Sequence, residues 1–371
     1  MNYNLSVYLD IVRFTSALFV FLSHVPSFIG GNLWQLGGFG HEAVVVFFVL
    51  SGFVIAFVCM EKKESFFDYV VNRFVRIYSV AIPSLLLTFA TYFFIDYYNP
   101  DSLNGIRDSF SSLLRTLITG LTFTNQSWID TRILTNTPYW SMGYEVLYYI
   151  FFAVTFYFSG WRRWVYMVPV LLVMGPSVLL YLPVWLAGVF CFWVKDRITI
   201  NTWFAGIGYI ASLFAFFIGC SESFQSAING VWQENENLLS NGYILNTAKN
   251  FLSDYYLTVV VVLSIFFANS LFNSIHFRLN AAVVTFIKTV SAHTFSLYLL
   301  HMPLLFLLNA VFPFSSFGYF TVAAALVIIP LIILLISRWI ESGRYDARRW
   351  LADNFEQGVL RVLLPKNLVK P

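Results

Sequence analysis

Charge is the first thing this chain is short of. Asp, Glu, Lys and Arg make up 11% of its 371 residues, against about 25% in soluble domains. With 58% hydrophobic and 20% aromatic residues and a mean hydropathy of +0.72, that shortage leaves a polytopic membrane protein. Cysteine is scarce as well. Cys59, Cys191 and Cys220 are an odd set in apolar settings, which excludes a disulfide framework and a cysteine metal centre. No glycine loop that cradles phosphate, no metal-ligand cluster and no nucleophile elbow occurs. Any chemistry the chain performs is then acid–base chemistry, and a cofactor arrives as a substrate. The N-terminus lacks a basic n-region with a small-residue cleavage site, so the first apolar run reads as a retained helix and not a signal peptide.

Long apolar runs are what the chain has. A crossing takes about 20 mostly apolar residues, and ten runs qualify: 8–28, 43–60, 78–97, 140–159, 163–181, 183–195, 202–220, 254–272, 293–312 and 318–338. Pro183 separates the fifth from the sixth. Pro83, Pro169, Pro176, Pro303 and Pro330 fall inside spans, where neighbouring helices re-satisfy the backbone. With the N-terminus in the cytoplasm, Arg107, Arg115, Arg132 and Lys249 fall outside and Arg13 falls in the first span. The rest of the 22 Lys and Arg then fall inside, as the positive-inside rule requires. The expected fold is an all-α polytopic bundle of about ten transmembrane helices with both termini cytoplasmic. Residues 1–340 form the membrane domain and 341–371 a basic cytoplasmic tail that meets anionic lipid headgroups and not nucleic acid. Between spans, 61–77 reads as an amphipathic cytoplasmic helix. The outer segment 98–139 contains an amphipathic piece at 110–123, and 221–253 reads as a polar outer loop.

The few charges inside spans carry the functional signal, because an ionisable residue in a membrane is costly. Arg13 and His24 are eleven residues apart, three turns plus about 20°, so they leave one helix face roughly 16 Å apart along the axis. A polar track facing the bundle interior is one reading. Snorkelling by Arg13 and packing by His24 is the other. Glu145 lies one to two turns into the fourth span from its outer end, at the depth of His24. A carboxylate beside an imidazole suits general acid–base work, and pairing of Glu145 with an amide or arginine is the competing role. Arg73 and Arg76 sit at i,i+3 on the cytoplasmic side, as a bidentate phosphate site or as positive-inside anchors. Ser51-Gly52 permits close helix approach. His41-Glu42, at the outer end of the second span, reads as solvated. Ser296, Tyr298 and His301 are spaced along the ninth span, where His301 either packs or lines the same cavity.

These residues resemble a known family, the integral-membrane acyltransferase-3 proteins, in six elements spread along the whole chain. They are Arg13-(ten residues)-His24, Phe47-Phe48-Val49-Leu50-Ser51-Gly52-Phe53, Arg73-Phe74-Val75-Arg76-Ile77-Tyr78, Tyr139-Trp140-Ser141-Met142-Gly143-Tyr144-Glu145, Phe295-Ser296-Leu297-Tyr298-Leu299-Leu300-His301, and Glu341. The proline after the paired arginines comes later than in many relatives, and Glu341 lacks the usual adjacent proline. The resemblance implies a stand-alone O-acyltransferase of a bacterial inner membrane. Such a protein moves an acyl group, usually acetyl, from cytoplasmic acetyl-CoA to a hydroxyl of a glycan or lipid-linked saccharide, such as O-antigen or exopolysaccharide. His24 would be the general base oriented by Glu145. Arg13, Arg73 and Arg76 would hold the coenzyme, Trp140, Ser141 and His301 would face the substrate, and no metal would be needed. A proton-coupled exporter of a glycan or lipid-linked sugar is the alternative, and a silent scaffold of glycan assembly a third.

Overall fold

The structure is a computed structural model and describes residues 2–29, 34–103, 105, 106, 108–233, 248–274 and 279–355. Those residues form helices and no strand: α1 (Tyr3–His24), α2 (Gly40–Ala56), α3 (Phe66–Tyr98), α4 (Phe110–Thr122), α5 (Trp140–Tyr157), α6 (Gly160–Val194), α7 (Thr202–Gly219), α8 (Glu222–Gln233), α9 (Phe251–Ser274), α10 (Ala281–Ala292), α11 (Thr294–Val311) and α12 (Ile329–Phe355), which helical turns over Tyr319–Ala323 and Ala324–Ile328 lead into without a break. Among the described residues eight helices are long and apolar enough to cross a membrane. The expected ten differ from these eight in two places. The fourth run is helix α5, whose glutamate and tyrosines lower its hydropathy. The fifth and sixth are joined in α6.

The break inside α6 falls at Gly175, with φ +70°, and not at Pro183. Pro176 has no N–H to give the carbonyl of Leu172, and the Trp128 indole donates to it at 2.6 Å. A Cβ on Gly175 would lie 2.2 Å from the Ser127 carbonyl oxygen, so this corner needs glycine for both dihedral and space. The amphipathic segments differ from expectation in part. Residues 66–77 run straight into α3, capped by Ser65, which accepts from the Asp68 N–H. Residues 110–122 form α4 as expected. The expected outer loop begins instead with α8, and its residues 234–247 lie outside the described set. Helix α10 occupies a stretch read as a connection, and the tail continues α12 as far as Phe355.

The chain divides into two compact units. The first holds Met1–His24, Leu33–Glu61 and Leu179–Thr294. Its helices touch backbone to backbone through two glycines. A Cβ on Gly52 would lie 2.1 Å from the Trp185 carbonyl oxygen, and one on Gly188 1.9 Å from that of Val49. Small residues are how membrane helices come this close, and Trp185 then donates its indole N–H to Ser51 Oγ at 3.2 Å. Gly52→Ala or Gly188→Ala should force the pair apart and cost about 1–3 kcal/mol, read as a lower thermal midpoint of the solubilised protein. An unchanged midpoint would refute the contact.

The second unit holds Val25–Asn32, Lys62–Val178 and Phe295–Pro371. Pro303 in α11 leaves the Leu299 carbonyl without its helical donor. Ser84 Oγ of α3 at 2.9 Å and Asn136 Nδ2 at 3.0 Å supply the missing bonds. Asn136 Nδ2 also donates to Ser84 and Thr88. A proline in a span is thus satisfied by a buried polar cluster that ties α3, α11 and the start of α5 together.

Candidate functional site

In the second unit the site grows from one stripe of α5. Ser141, Glu145 and Tyr149 follow at four-residue steps and share a face. Tyr149 gives its hydroxyl proton to the Glu145 carboxylate. The Arg73 guanidinium lies 5.9 Å from the Tyr149 ring centre and 5.6 Å from that of Tyr69. It also lies 3.6 Å from Glu64, and both side chains are 11% exposed. Asn72 donates to the other Glu64 oxygen, and Tyr69 donates to the Tyr149 carbonyl at 3.0 Å. Arg76, one turn on, is half-buried and within electrostatic reach of Tyr149. A line of polar groups therefore runs from the paired arginines through Tyr149 to Glu145. The sequence reading set these groups at different depths and did not foresee Tyr149, Tyr69 or Glu64. The step of four from Glu145 to Tyr149 was a legible signal for the first of these.

At the start of α5, Ser141 Oγ and Tyr298 Oη are 2.7 Å apart, and Tyr298 donates to the Pro138 carbonyl at 3.0 Å. Gly143 lets the preceding loop sit against this turn, with Asn125 Oδ1 2.9 Å from where a Cβ would be. Trp140 is half-buried and packs edge-on to Tyr144. His301 is fully buried. Its Nδ1 lies 2.8 Å from the Leu297 carbonyl, so Nδ1 carries the proton and Nε2 the lone pair. Glu145, Ser141, Trp140, His301, Arg73 and Arg76 all belong to this unit.

Arg13 and His24 belong to the first unit, on the single unbroken helix α1. Arg13 is not alone. Asp10 accepts from it at 3.3 Å and from Ser291 of α10 at 3.2 Å. His24 is the last residue of α1 and is half-buried. An apolar cavity of about 290 Å³ lies on another face of α1, lined by Tyr8, Val12, Ser16 and Phe19 with Phe39 and Phe216.

The neighbourhood of His41 corrects the expectation that His41 and Glu42 are solvated. Glu42 is buried and accepts from Gln225 at 2.6 Å. His41 pairs with Asp254 of α9, a carboxylate the sequence reading passed over although it stands inside a span. Among the described residues no group of His, Cys, Asp and Glu side chains is placed to hold a metal ion.

Comparison with known proteins agrees with the pattern of motifs. No solved structure matches the chain. Over 169 residues the chain is 29% identical to the acyltransferase MdmB of Streptomyces mycarofaciens, an alignment that spans 43% of this chain and 40% of that relative. The family model described as an acyltransferase domain, Acyl_transf_3, matches residues 6–338. Since that match takes in every helix but the first residues of α1 and the end of α12, the chain belongs to the acyltransferase-3 family.

Proposed function

We propose that the protein is a membrane O-acyltransferase that takes an acyl group, acetyl in the first instance, from cytoplasmic acyl-CoA. The acceptor is a hydroxyl of a glycan or lipid-linked saccharide on the outer face of a bacterial inner membrane. The observation that carries this reading is the family match from residue 6 to 338. The line of polar groups from half-buried Arg73 through buried Tyr149 to half-buried Glu145 supports it, because such groups are costly in a membrane and mark functional sites.

In this reading His24 takes the proton of the acceptor hydroxyl, the oxygen attacks the thioester carbon, and the thiolate leaves with that proton. Arg76, with Arg73 behind it, binds coenzyme phosphates, which guanidinium groups recognise by paired hydrogen bonds. Arg13, already paired with Asp10, serves the coenzyme more weakly. Glu145 supplies the carboxylate of the acid–base machinery, and Trp140, Ser141 and His301 face the acceptor. Arg76→Ala should then raise the KM for acetyl-CoA about tenfold or more, as expected for one lost charged hydrogen bond, with kcat little changed. An unchanged KM would make Arg76 a topological anchor.

The direct test follows label from acetyl-CoA in washed membranes containing the protein. Label in a saccharide or lipid-linked saccharide, absent from membranes without the protein, establishes the reaction and names the acceptor. No label and no binding of CoA to the purified protein would overturn the reading in favour of a transporter.

A further inference from the structure

The reaction as described leaves a groove of the second unit unused. It lies between α3 and α12, which pack together, at the end of both helices that the positive-inside rule sets in the cytoplasm. Its volume is about 540 Å³, within the range of small-molecule sites. Phe74, Ser79 and Pro83 line it from α3, and Trp339, Arg344 and Asp346 from α12. Gly343 lines it too, and a Cβ there would meet nothing within 4 Å, so the groove is open over that turn of α12.

Phe74 is 49% and Trp339 74% exposed, so both rings keep a face open to a ligand. Tyr78 backs the Phe74 ring at 4.5 Å between ring centres and is itself held by its hydrogen bond to the Leu121 carbonyl at 2.9 Å. Arg344 Nη1 donates to both oxygens of Glu341 at 3.2 Å, which steadies a side chain that stays 37% exposed. Ser79 and Pro83 stand three and seven residues on from Arg76, so one edge of the groove follows the face of α3 that carries Arg76. A tryptophan alone at this depth would be a membrane anchor. Here it shares a groove with a guanidinium and a carboxylate. That set matches the parts of a purine nucleotide: a ring that stacks, a phosphate that takes charged hydrogen bonds from a guanidinium, and amino and hydroxyl groups that donate to a carboxylate. A phospholipid headgroup has no aromatic ring to stack.

We propose that this groove holds the nucleotide end of the acyl-CoA, its adenosine 3′-phosphate. The adenine lies against Trp339 and Phe74, the 3′-phosphate meets Arg344, and an adenine amino or ribose hydroxyl group donates to Asp346. The diphosphate then falls to Arg76 along the shared face of α3. This rests on the acyl-transfer reading above and adds the part of the donor that takes no part in the chemical step.

The test measures binding of desulfo-CoA, 4′-phosphopantetheine and adenosine 3′,5′-bisphosphate to the purified wild type and to Trp339→Ala, Arg344→Gln and Gly343→Leu, with the thermal midpoint of each protein. Adenosine 3′,5′-bisphosphate should displace desulfo-CoA from the wild type. Trp339→Ala should weaken desulfo-CoA at least about fivefold, the low end of what stacking one base on an aromatic side chain is worth. Arg344→Gln should weaken it about tenfold, the loss of one charged hydrogen bond. Both should bind 4′-phosphopantetheine, which lacks the nucleotide, within about twofold of wild type. Gly343→Leu fills the groove and suits a helix better than glycine does, so it should weaken desulfo-CoA without lowering the midpoint. Wild-type affinity for desulfo-CoA in all three variants would overturn the assignment. So would an equal loss of desulfo-CoA and 4′-phosphopantetheine. An Arg344→Gln protein that binds desulfo-CoA normally but co-purifies with less phosphatidylglycerol would give the groove to a lipid headgroup and overturn it as well. A wild type that transfers label from acetyl-CoA while adenosine 3′,5′-bisphosphate fails to compete removes this assignment alone. One that binds no desulfo-CoA and transfers no label removes the acyl-transfer reading with it.

Discussion

Replacing His24 with alanine should lower transfer of acetyl label by about 10²–10⁴-fold, the usual worth of a general base, while the protein accumulates and binds desulfo-CoA as before. His24 ends α1 and is half-buried. The thermal midpoint of the solubilised variant, measured beside the label, separates a loss of packing from a loss of chemistry. A fall in label without a fall in stability therefore belongs to chemistry. Equal labelling by the variant would retire His24 as the base. The same assay tests Glu145, which stands in the other unit and is hydrogen-bonded to Tyr149. If the carboxylate and the imidazole act as one device, Glu145→Gln is costly alone and adds nothing in the His24→Ala background, because groups that work as a unit are not additive. Fully additive losses would give Glu145 a separate task, with Tyr149 and Arg73 as its partners.

What the sequence made legible follows from what hydropathy and helical spacing encode. Residues that face lipid are apolar for twenty positions at a time, so most spans could be read directly. The eleven-residue step put Arg13 and His24 on one helix, and the structure has that helix unbroken. The i,i+3 arginines lie on α3 as expected, and Ser51-Gly52 marks a close helix contact. Partners across helices were not legible, because periodicity describes one helix at a time. Glu64 on Arg73, Ser291 on Asp10 and Tyr298 on Ser141 are partners of this kind, whereas Asp10–Arg13 and Glu145–Tyr149 are i,i+3 and i,i+4 pairs within one helix that spacing does encode. Asp254 was hidden for a different reason. One acid at the start of an apolar run looks like a span boundary, and only its burial against Tyr181 and His41 shows otherwise. The break in α6 was misplaced because two prolines competed for it. Pro183 lies within the second helical half, whereas Gly175 takes a positive φ that the helix cannot continue through.

Arg73→Ala should be the most destabilising single change in the second unit. Arg73 and Glu64 are each 11% exposed, and the guanidinium is flanked by the rings of Tyr69 and Tyr149. Removing it leaves the Glu64 carboxylate with Asn72 and no cation. Stranding one member of a buried pair costs about 3–5 kcal/mol, whereas replacing both members by apolar groups of similar size is often neutral. The thermal midpoint of the solubilised protein should fall sharply for Arg73→Ala and return for Arg73→Met combined with Glu64→Leu. A midpoint that does not fall would mean that the pair stabilises nothing. The double variant then separates the two roles open to this arginine. If Arg73 also serves the coenzyme, the rescued protein folds but keeps a raised KM for acetyl-CoA, because a methionine packs between tyrosines and offers a phosphate nothing. If the rescued protein regains the wild-type KM, Arg73 is a structural cation and, of the two α3 arginines, only Arg76 meets phosphate.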